Sequence, residues 1–153
     1  MTLCFLLRTG PDGQAQVLLG RKLRGFGTGK IVGLGGHIEP GEDARTAAAR
    51  ETVEESGLVV DPSVLEQRGN LAFRFPAEPR WNMEVAVFTS EVWHGELSPS
   101  DEILPAWFDA LAPPFEQMWD DNRHWLPRVL SGERVNAEFT FADDGETVAD
   151  WHE

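Results

Sequence analysis

Three glutamates, Glu51, Glu54 and Glu55, lie close together within the segment ARTAAARETVEES. In an α-helix, side chains three or four residues apart share one face, so these carboxylates would be neighbours. Like charges at this spacing destabilise a helix unless a cation neutralises them. Mg²⁺ prefers oxygen ligands and binds substrate phosphates at the same time. The spacing therefore indicates a magnesium site, and the alternative is a solvated acidic helix face.

The residues on either side of these glutamates predict the element that positions them. Asp43 is a suitable helix N-cap after the turn formed by residues 39–41, and Gly57 suits a left-handed C-terminal cap. Gly35 and Gly36 precede the helix, and their lack of side chains lets backbone carbonyls approach an ion. The sequence thus predicts a helix that begins near Asp43, with a glycine-rich turn at residues 35–36 preceding it.

The remaining chain predicts an α+β fold in which helices pack on a mixed sheet. The strand-like segments, rich in β-branched and aromatic residues, are 2–8, 16–21, 68–75 and 83–93. A glycine-rich loop covers 23–30, and a second helix is predicted over 115–130 with an interruption at Pro127. The tail predicts two strands that turn at Asp144-Gly145.

Length and charge restrict the possible classes of protein. The 153 residues, 41% of them hydrophobic, fit one globular domain over residues 1–153. The net charge of -13 argues against a nucleic-acid polymer or an anionic membrane as partner. No apolar run reaches the roughly 18 to 20 residues of a membrane-spanning helix. The single Cys4 forms no intramolecular disulfide, which favours a cytoplasmic location, and nothing in the sequence requires more than a monomer.

The glutamate segment also carries a family resemblance. From Gly36 to Leu58 the chain resembles the Nudix box, Gly-x5-Glu-x7-Arg-Glu-U-x-Glu-Glu-x-Gly-U, where U is a bulky aliphatic residue. Eight of the nine restricted positions match, and Thr52 stands where an aliphatic residue is usual. The segments VLLGRKLRGFGTGK, GLGGHIEPGE, SDEILPAWF and PPFEQMWDDNRHWLP extend the resemblance to the MutT-related branch that hydrolyses oxidised purine nucleoside triphosphates such as 8-oxo-dGTP.

This resemblance implies a fold, a reaction and a catalytic site. The fold is an α/β/α sandwich with a mixed β-sheet. The reaction is Mg²⁺-dependent attack of water on a phosphoanhydride, with Mn²⁺ as another possible ion, and it releases nucleoside monophosphate and pyrophosphate. Arg50 would orient the glutamates and Glu42 would hold the box together. The implied metal ligands are the Gly35 carbonyl, Glu51, Glu54, Glu55 and Glu102.

The resemblance further implies a pocket for a small nucleotide, with apolar and aromatic surfaces for the base and a lysine near the phosphates. The implied substrate-binding residues are Thr2, Lys22, Phe26, Val32, Gly35, Gly36, Phe73, Met83, Trp119, Asp120, Asp121 and Asn122. For the aromatic residues, burial in the core is the alternative explanation.

Two departures from the branch affect the expected base preference. Val32 replaces an asparagine that contacts the base, and a pair of aspartates becomes either Asp121 and Asn122 or, with a one-residue shift, Asp120 and Asp121. These departures favour an alternative in which the same chemistry acts on another (d)NTP or a nucleoside diphosphate derivative. A non-catalytic, nucleotide-binding regulatory module is the other alternative, and the intact glutamate set argues against it.

Overall fold

The computed structural model describes all residues, 1–153, as eight strands and two α-helices. The elements in chain order are β1 Thr2–Thr9, β2 Ala15–Lys22, β3 Ile31–Val32, α1 Ala44–Ser56, β4 Glu66–Arg74, β5 Met83–Ser90, β6 Ile103–Asp109, α2 Asn122–Leu130, β7 Ala137–Phe141 and β8 Val148–His152. Short 3-10 turns lie at Pro62–Val64, Pro79–Trp81 and Phe115–Gln117. None of the helices is both long enough and apolar enough to span a bilayer.

The strands form one mixed sheet in the order β3-β2-β1-β5-β4-β7-β8, and β6 pairs with β2. β1 runs parallel to β5 and β4 runs parallel to β7, whereas the other pairs are antiparallel. Hydrophobic residues cover both faces and form two separate clusters, one under each helix. A mixed sheet with a helix on each face confirms the predicted α+β sandwich.

Helix α1 packs through small side chains against β1, β5 and β6. Ala47, Ala48 and Ala49 are buried in this interface, and their size lets the helix approach the sheet closely. The helix begins and ends where the sequence predicts, because the Asp43 carboxylate accepts a hydrogen bond from the Thr46 N–H and Gly57 adopts a left-handed conformation with φ of 78°.

Thr52 fills the aliphatic position of the box without leaving a polar atom unpaired. Its side chain is fully buried, and its hydroxyl donates a hydrogen bond of 2.8 Å to the Ala48 carbonyl one turn earlier. Because buried hydroxyls are costly only when they lack a partner, the threonine is accommodated at this position.

Helix α2 is shorter than the predicted segment 115–130. Residues Phe115–Gln117 form a 3-10 turn, Met118 is extended, and the α-helix starts only at Asn122. The extended break follows the pair Pro113-Pro114 and allows Trp119 to line the cavity described below. Pro127 lies inside the helix without ending it, and the buried side chains Trp125, Leu126 and Val129 hold the helix on the sheet.

The C-terminal hairpin, formed by β7, β8 and the turn over residues 142–147, confirms the predicted pair of strands. Gly145 has φ of 66°, and the Asp144 carboxylate accepts hydrogen bonds from the N–H groups of Glu146 and Thr147. The hairpin extends the sheet beyond β4, which brings its turn to the same side as the loop after β2.

Candidate active site

The glycine-rich turn before α1 brings backbone into direct contact with the glutamates. The Gly35 N–H donates a hydrogen bond of 2.8 Å to Glu55 Oε1. A Cβ atom at Gly35 would lie 1.9 Å from the Thr2 carbonyl oxygen, and one at Gly36 would lie 2.6 Å from the Glu51 carboxylate. Gly35 therefore allows a close approach to the backbone of β1, and a side chain at Gly36 would displace the Glu51 carboxylate.

The backbone around Gly35 also leaves one carbonyl oxygen available. The carbonyls of Leu34 and Gly36 accept hydrogen bonds from the N–H groups of Cys4 and Thr2 in β1. The Gly35 carbonyl between them accepts none. An unpaired carbonyl beside Glu55 adds a hard oxygen donor to the carboxylates.

Arg50 is the centre of the ionic network at the glutamates. Its guanidinium makes two hydrogen bonds to the Glu42 carboxylate, of 2.8 and 2.9 Å, and contacts Glu51 at 3.0 Å and Glu54 at 3.2 Å. Arg50 Nη2 also donates a hydrogen bond of 3.0 Å to the His37 carbonyl. Arg50 holds the pKa of Glu42 down at about 2, which keeps this anchor charged. The network links the Glu42, Glu51 and Glu54 carboxylates through one guanidinium, and the orienting role of Arg50 and Glu42 stays a prediction.

Glu55 and Glu51 occupy environments that disfavour their negative charge. Burial is the main cause that raises the pKa of Glu55 to about 7. The hydrogen bond from the Gly35 N–H opposes this shift, the carboxylates of Glu51 and Glu102 contribute to it, and Lys22 opposes it. Burial is also the main cause that raises the pKa of Glu51. Carboxylates that are desolvated next to like charges are typical of cation sites and of acid–base groups.

Glu54 and Glu102 are more exposed than the other two glutamates. Their side chains are 55% and 57% exposed, and Glu102 contacts Arg24 at 3.4 Å. The Glu102 backbone carbonyl accepts a hydrogen bond from the Leu23 N–H, which fixes the SPSDEI loop beside the end of β2. In this arrangement no three acidic, histidine or cysteine side chains converge into a metal cage. Arg50 contacts one oxygen of each of Glu51 and Glu54, and the other oxygen of each carboxylate makes no hydrogen bond within the protein.

A cavity of about 150 Å³ opens next to Glu55 and extends between the sheet and α2. Most of its lining is apolar. The predicted substrate residues that line it are Thr2, Lys22, Phe26, Val32, Gly35, Phe73, Met83, Trp119, Asp121 and Asn122. The chain thus places a carboxylate and a lysine at the surface of the same cavity as a set of aromatic rings.

Two predicted substrate residues do not line this cavity. The Asp120 carboxylate accepts a hydrogen bond of 2.8 Å from the Val148 N–H and contacts Arg123 at 3.2 Å, so it ties α2 to the C-terminal hairpin. Gly36 faces Glu51, and its carbonyl pairs with Thr2. In this structure the Asp120 carboxylate makes structural contacts outside the cavity, and the members of the predicted polar pair that line it are Asp121 and Asn122.

Asp121 and Asn122 differ in their surroundings. Asp121 is only 3% exposed and accepts a hydrogen bond of 2.7 Å from Trp125 Nε1, and burial raises the pKa of its carboxyl to about 6. The Asn122 amide donates to the Trp119 carbonyl at 3.0 Å through Nδ2, and its Oδ1 accepts no hydrogen bond from the protein. The pair therefore offers hydrogen-bond acceptors to a ligand in an otherwise apolar cavity.

Several lining residues were missed by the sequence analysis. Phe75 continues the alternation of buried residues at Leu71 and Phe73 in β4, and Phe141 continues that of Phe139 in β7. This period of two was a usable signal in both strands. The remaining unpredicted residues of the lining are Met1, Leu3, Gly33, Val85, Ile103 and Trp125.

Comparisons with known proteins identify the family of this chain. Residues 3–129 match the model of the NUDIX domain. The chain is 43% identical over 141 residues to the oxidized purine nucleoside triphosphate hydrolase of Danio rerio, which covers 92% of this chain and 85% of that protein. It is 39% identical over 128 residues to the protein of the same name from Mus musculus, with 84% and 80% covered. The crystal structure of a mutator MutT protein from Bacillus halodurans superposes with a TM-score of 0.80 at 23% identity, over 99% of this chain and 94% of that one.

Proposed function

The chain belongs to the NUDIX family, and we propose that it hydrolyses oxidised purine nucleoside triphosphates such as 8-oxo-dGTP to nucleoside monophosphate and pyrophosphate. One observation carries this proposal: Glu55 and Gly35 of the glutamate site line the same cavity as Phe26 and Trp119. A nucleotide that fills the cavity with its base would therefore extend its phosphates toward the carboxylates. The names of the two relatives at 43% and 39% identity support the choice of substrate.

Nudix hydrolases act with a divalent metal, and the residues present fit one. The donor set consists of hard oxygens, from the carbonyl of Gly35 and the carboxylates of Glu51, Glu54, Glu55 and Glu102. Burial and mutual repulsion raise the pKa of Glu51 and Glu55, and a cation would relieve this repulsion. When bound, Mg²⁺ or Mn²⁺ supplies Lewis-acid stabilisation of the phosphates and a more acidic water.

The protein's own residues then orient the substrate and the reacting groups. Arg50, fixed by Glu42, sets the positions of the Glu51 and Glu54 side chains through hydrogen bonds of 3.0 and 3.2 Å. Lys22 lines the cavity on the glutamate side, where its ammonium group would neutralise phosphate charge. A glutamate that is not fully engaged by metal would accept the proton of the attacking water.

The far end of the cavity supports recognition of a purine. The rings of Phe26 and Trp119 stack at a centroid distance of 5.1 Å and offer a flat apolar surface, which we call the aromatic wall. Asn122 Oδ1 and the Asp121 carboxylate provide acceptors, and the guanine edge presents N–H donors at N1 and N2. This match favours guanine over adenine, and the names of the two relatives support the oxidised form.

A second candidate is the same hydrolysis of another (d)NTP or of a nucleoside diphosphate derivative. Val32 favours it, because its apolar side chain lines the cavity where the resembled branch has a base-contacting asparagine. Losing one such hydrogen bond changes discrimination by about 1 to 3 kcal/mol. We also propose that residues 1–153 form one domain that acts as a monomer in the cytoplasm on small nucleotides, without a nucleic-acid polymer as substrate.

The experiment that tests the function is pyrophosphate release across a panel of nucleotides. The panel comprises 8-oxo-dGTP, 2-hydroxy-dATP, the normal dNTPs and NTPs, and ADP-ribose, each with Mg²⁺, with Mn²⁺ and with a chelator. We expect the highest kcat/KM for an oxidised purine and no turnover with the chelator. A higher kcat/KM for another nucleotide would select the second candidate, and no turnover of any nucleotide would contradict both.

A further inference from the structure

Lys30 lies behind the cavity wall and makes two contacts that the chemistry described above does not use. Its Nζ is 2.8 Å from Glu146 Oε2 in the turn of the C-terminal hairpin. The same Nζ lies 4.5 Å from the centroid of a Trp119 ring, within the range of a cation–π contact. The Lys30 side chain is 23% exposed and does not line the cavity. Its influence on a ligand must therefore pass through Trp119.

The loop that ends at Lys30, residues 23–30, packs on Trp119 at several points, and we call it the glycine loop. Phe26 stacks on Trp119, and a Cβ atom at Gly27 would lie 3.2 Å from the indole ring. Arg21, just before the loop, donates hydrogen bonds of 2.8 Å to the Gly29 carbonyl and 2.9 Å to Gln117 Oε1. The glycine loop is thus attached to the segment that carries Trp119 next to its start, through Arg21, and at its end, through Lys30.

The C-terminal hairpin completes this arrangement. A Cβ atom at Gly145 would lie 3.1 Å from the Trp81 ring, and Trp81 lies 5.1 Å from Phe26 between ring centroids. Three segments that are distant in sequence thus meet around the aromatic wall: the glycine loop, the 3-10 turn with Trp81 and the turn of the C-terminal hairpin. The Lys30–Glu146 ion pair is the direct polar link between the glycine loop and the hairpin.

We propose that Lys30 and Glu146 are positioning residues that hold the Trp119 ring of the aromatic wall in the orientation that binds the nucleoside. The inference rests on the proposed function, because it assigns a role in substrate affinity at the same site. Lys30 acts on the ring of Trp119, and Glu146 fixes Lys30. Neither residue takes part in the hydrolysis, so the pair affects KM and leaves kcat nearly unchanged.

The expected effect is modest because Glu146 is 59% exposed. Exposed ion pairs and exposed cation–π contacts are each weak, and together they correspond to about a two- to fivefold change in affinity. Lys30→Met keeps the length of the side chain and removes the charge. We expect this variant to raise KM for the preferred nucleotide about two- to fivefold, with kcat within about 1.5-fold of wild type.

Two companion variants separate positioning from a direct contact with substrate. Lys30→Arg retains a cation that can pair and stack, so it should restore KM to within about twofold of wild type. Glu146→Gln should raise KM in the same direction as Lys30→Met, and the double variant should be no worse than Lys30→Met alone. The matched control is Glu66→Gln, which breaks the 2.6 Å pair with Arg68 at the far end of β4 and should leave KM unchanged.

Steady-state kinetics and calorimetric binding of the product 8-oxo-dGMP measure these effects, and melting curves establish that each variant is folded. Binding of the product requires no catalysis. A wild-type enzyme that turns over no nucleotide contradicts the proposed function, whereas an active wild type with equal KM in Lys30→Met contradicts the positioning role. A lower KM in Glu146→Gln would mean that the freed Lys30 binds phosphate directly, which also overturns the inference. A rise in KM in Glu66→Gln equal to that in Lys30→Met would overturn it as well.

Discussion

Replacing Asp121 with asparagine should stabilise the protein at neutral pH and have a smaller effect in acid. Burial raises the pKa of the Asp121 carboxyl to about 6, compared with 3.8 for an unperturbed aspartate. A group whose folded pKa is raised costs stability when it is ionised, so the cost is absent below pH 3.8 and complete above pH 6. Asparagine carries no charge at any pH and retains an oxygen that can accept the hydrogen bond from Trp125.

The pKa difference sets the size of this effect. One pKa unit corresponds to about 1.4 kcal/mol, so the ionised carboxyl lowers the free energy of unfolding by about 3 kcal/mol at pH 7.5. At pH 4.5 the folded carboxyl is mostly protonated and the cost is about 1 kcal/mol. The stability difference between Asp121→Asn and wild type should therefore become more favourable to the variant by about 2 kcal/mol from pH 4.5 to pH 7.5.

Urea unfolding of both proteins at the two pH values provides the measurement. The change in stability difference between the two pH values is the decisive quantity, because any constant effect of the new amide cancels. A stability difference that is the same at pH 4.5 and pH 7.5 would refute the assigned desolvation of Asp121. A ¹³C NMR titration of the Asp121 carboxyl gives an independent check, and a midpoint near 4 would lead to the same conclusion.

The other predictions concern the glutamate site and the aromatic wall. Glu54→Gln should lower kcat at least about a hundredfold at saturating Mg²⁺ with an unchanged melting temperature, because the side chain is 55% exposed; near-wild-type kcat would exclude Glu54 as a functional ligand. Arg50→Lys should lower kcat/KM about tenfold or more, since an ammonium group cannot reproduce the two parallel hydrogen bonds to Glu42. Trp119→Ala should raise KM for purine nucleotides about tenfold with little change in kcat, and a collapse of the melting temperature would instead identify Trp119 as a core residue.

The sequence predicted best those features that depend on nearby residues. The ends of α1 were predictable because Asp43 and Gly57 act on backbone groups within one turn of themselves. The turn at Gly145 was predictable for the same reason. Glycine readily adopts the left-handed conformation found there, and the adjacent Asp144 carboxylate accepts a hydrogen bond from the N–H of Glu146.

Features that depend on distant contacts were less accessible. The start of α2 was predicted seven residues too early, because the apolar residues around Met118 and Trp119 resemble a helix face but serve the cavity and the core instead. The Asp120 carboxylate is directed away from the cavity because it accepts a hydrogen bond from the N–H of Val148, which lies 28 residues further along the chain. The 116-residue separation of Lys30 and Glu146 likewise left no sequence signal for their contact.

On the proposed function, the charge distribution gives the metal ion a role in substrate binding as well as in catalysis. The net charge is -13, and the guanidinium of Arg50 is already engaged by Glu42, Glu51 and Glu54. The only basic side chain that lines the cavity is Lys22, against the carboxyl groups of Glu55 and Asp121. One lysine cannot offset both these carboxylates and a triphosphate. We therefore propose that the cation that would relieve the repulsion among the glutamates also supplies the positive charge that lets the phosphates approach them.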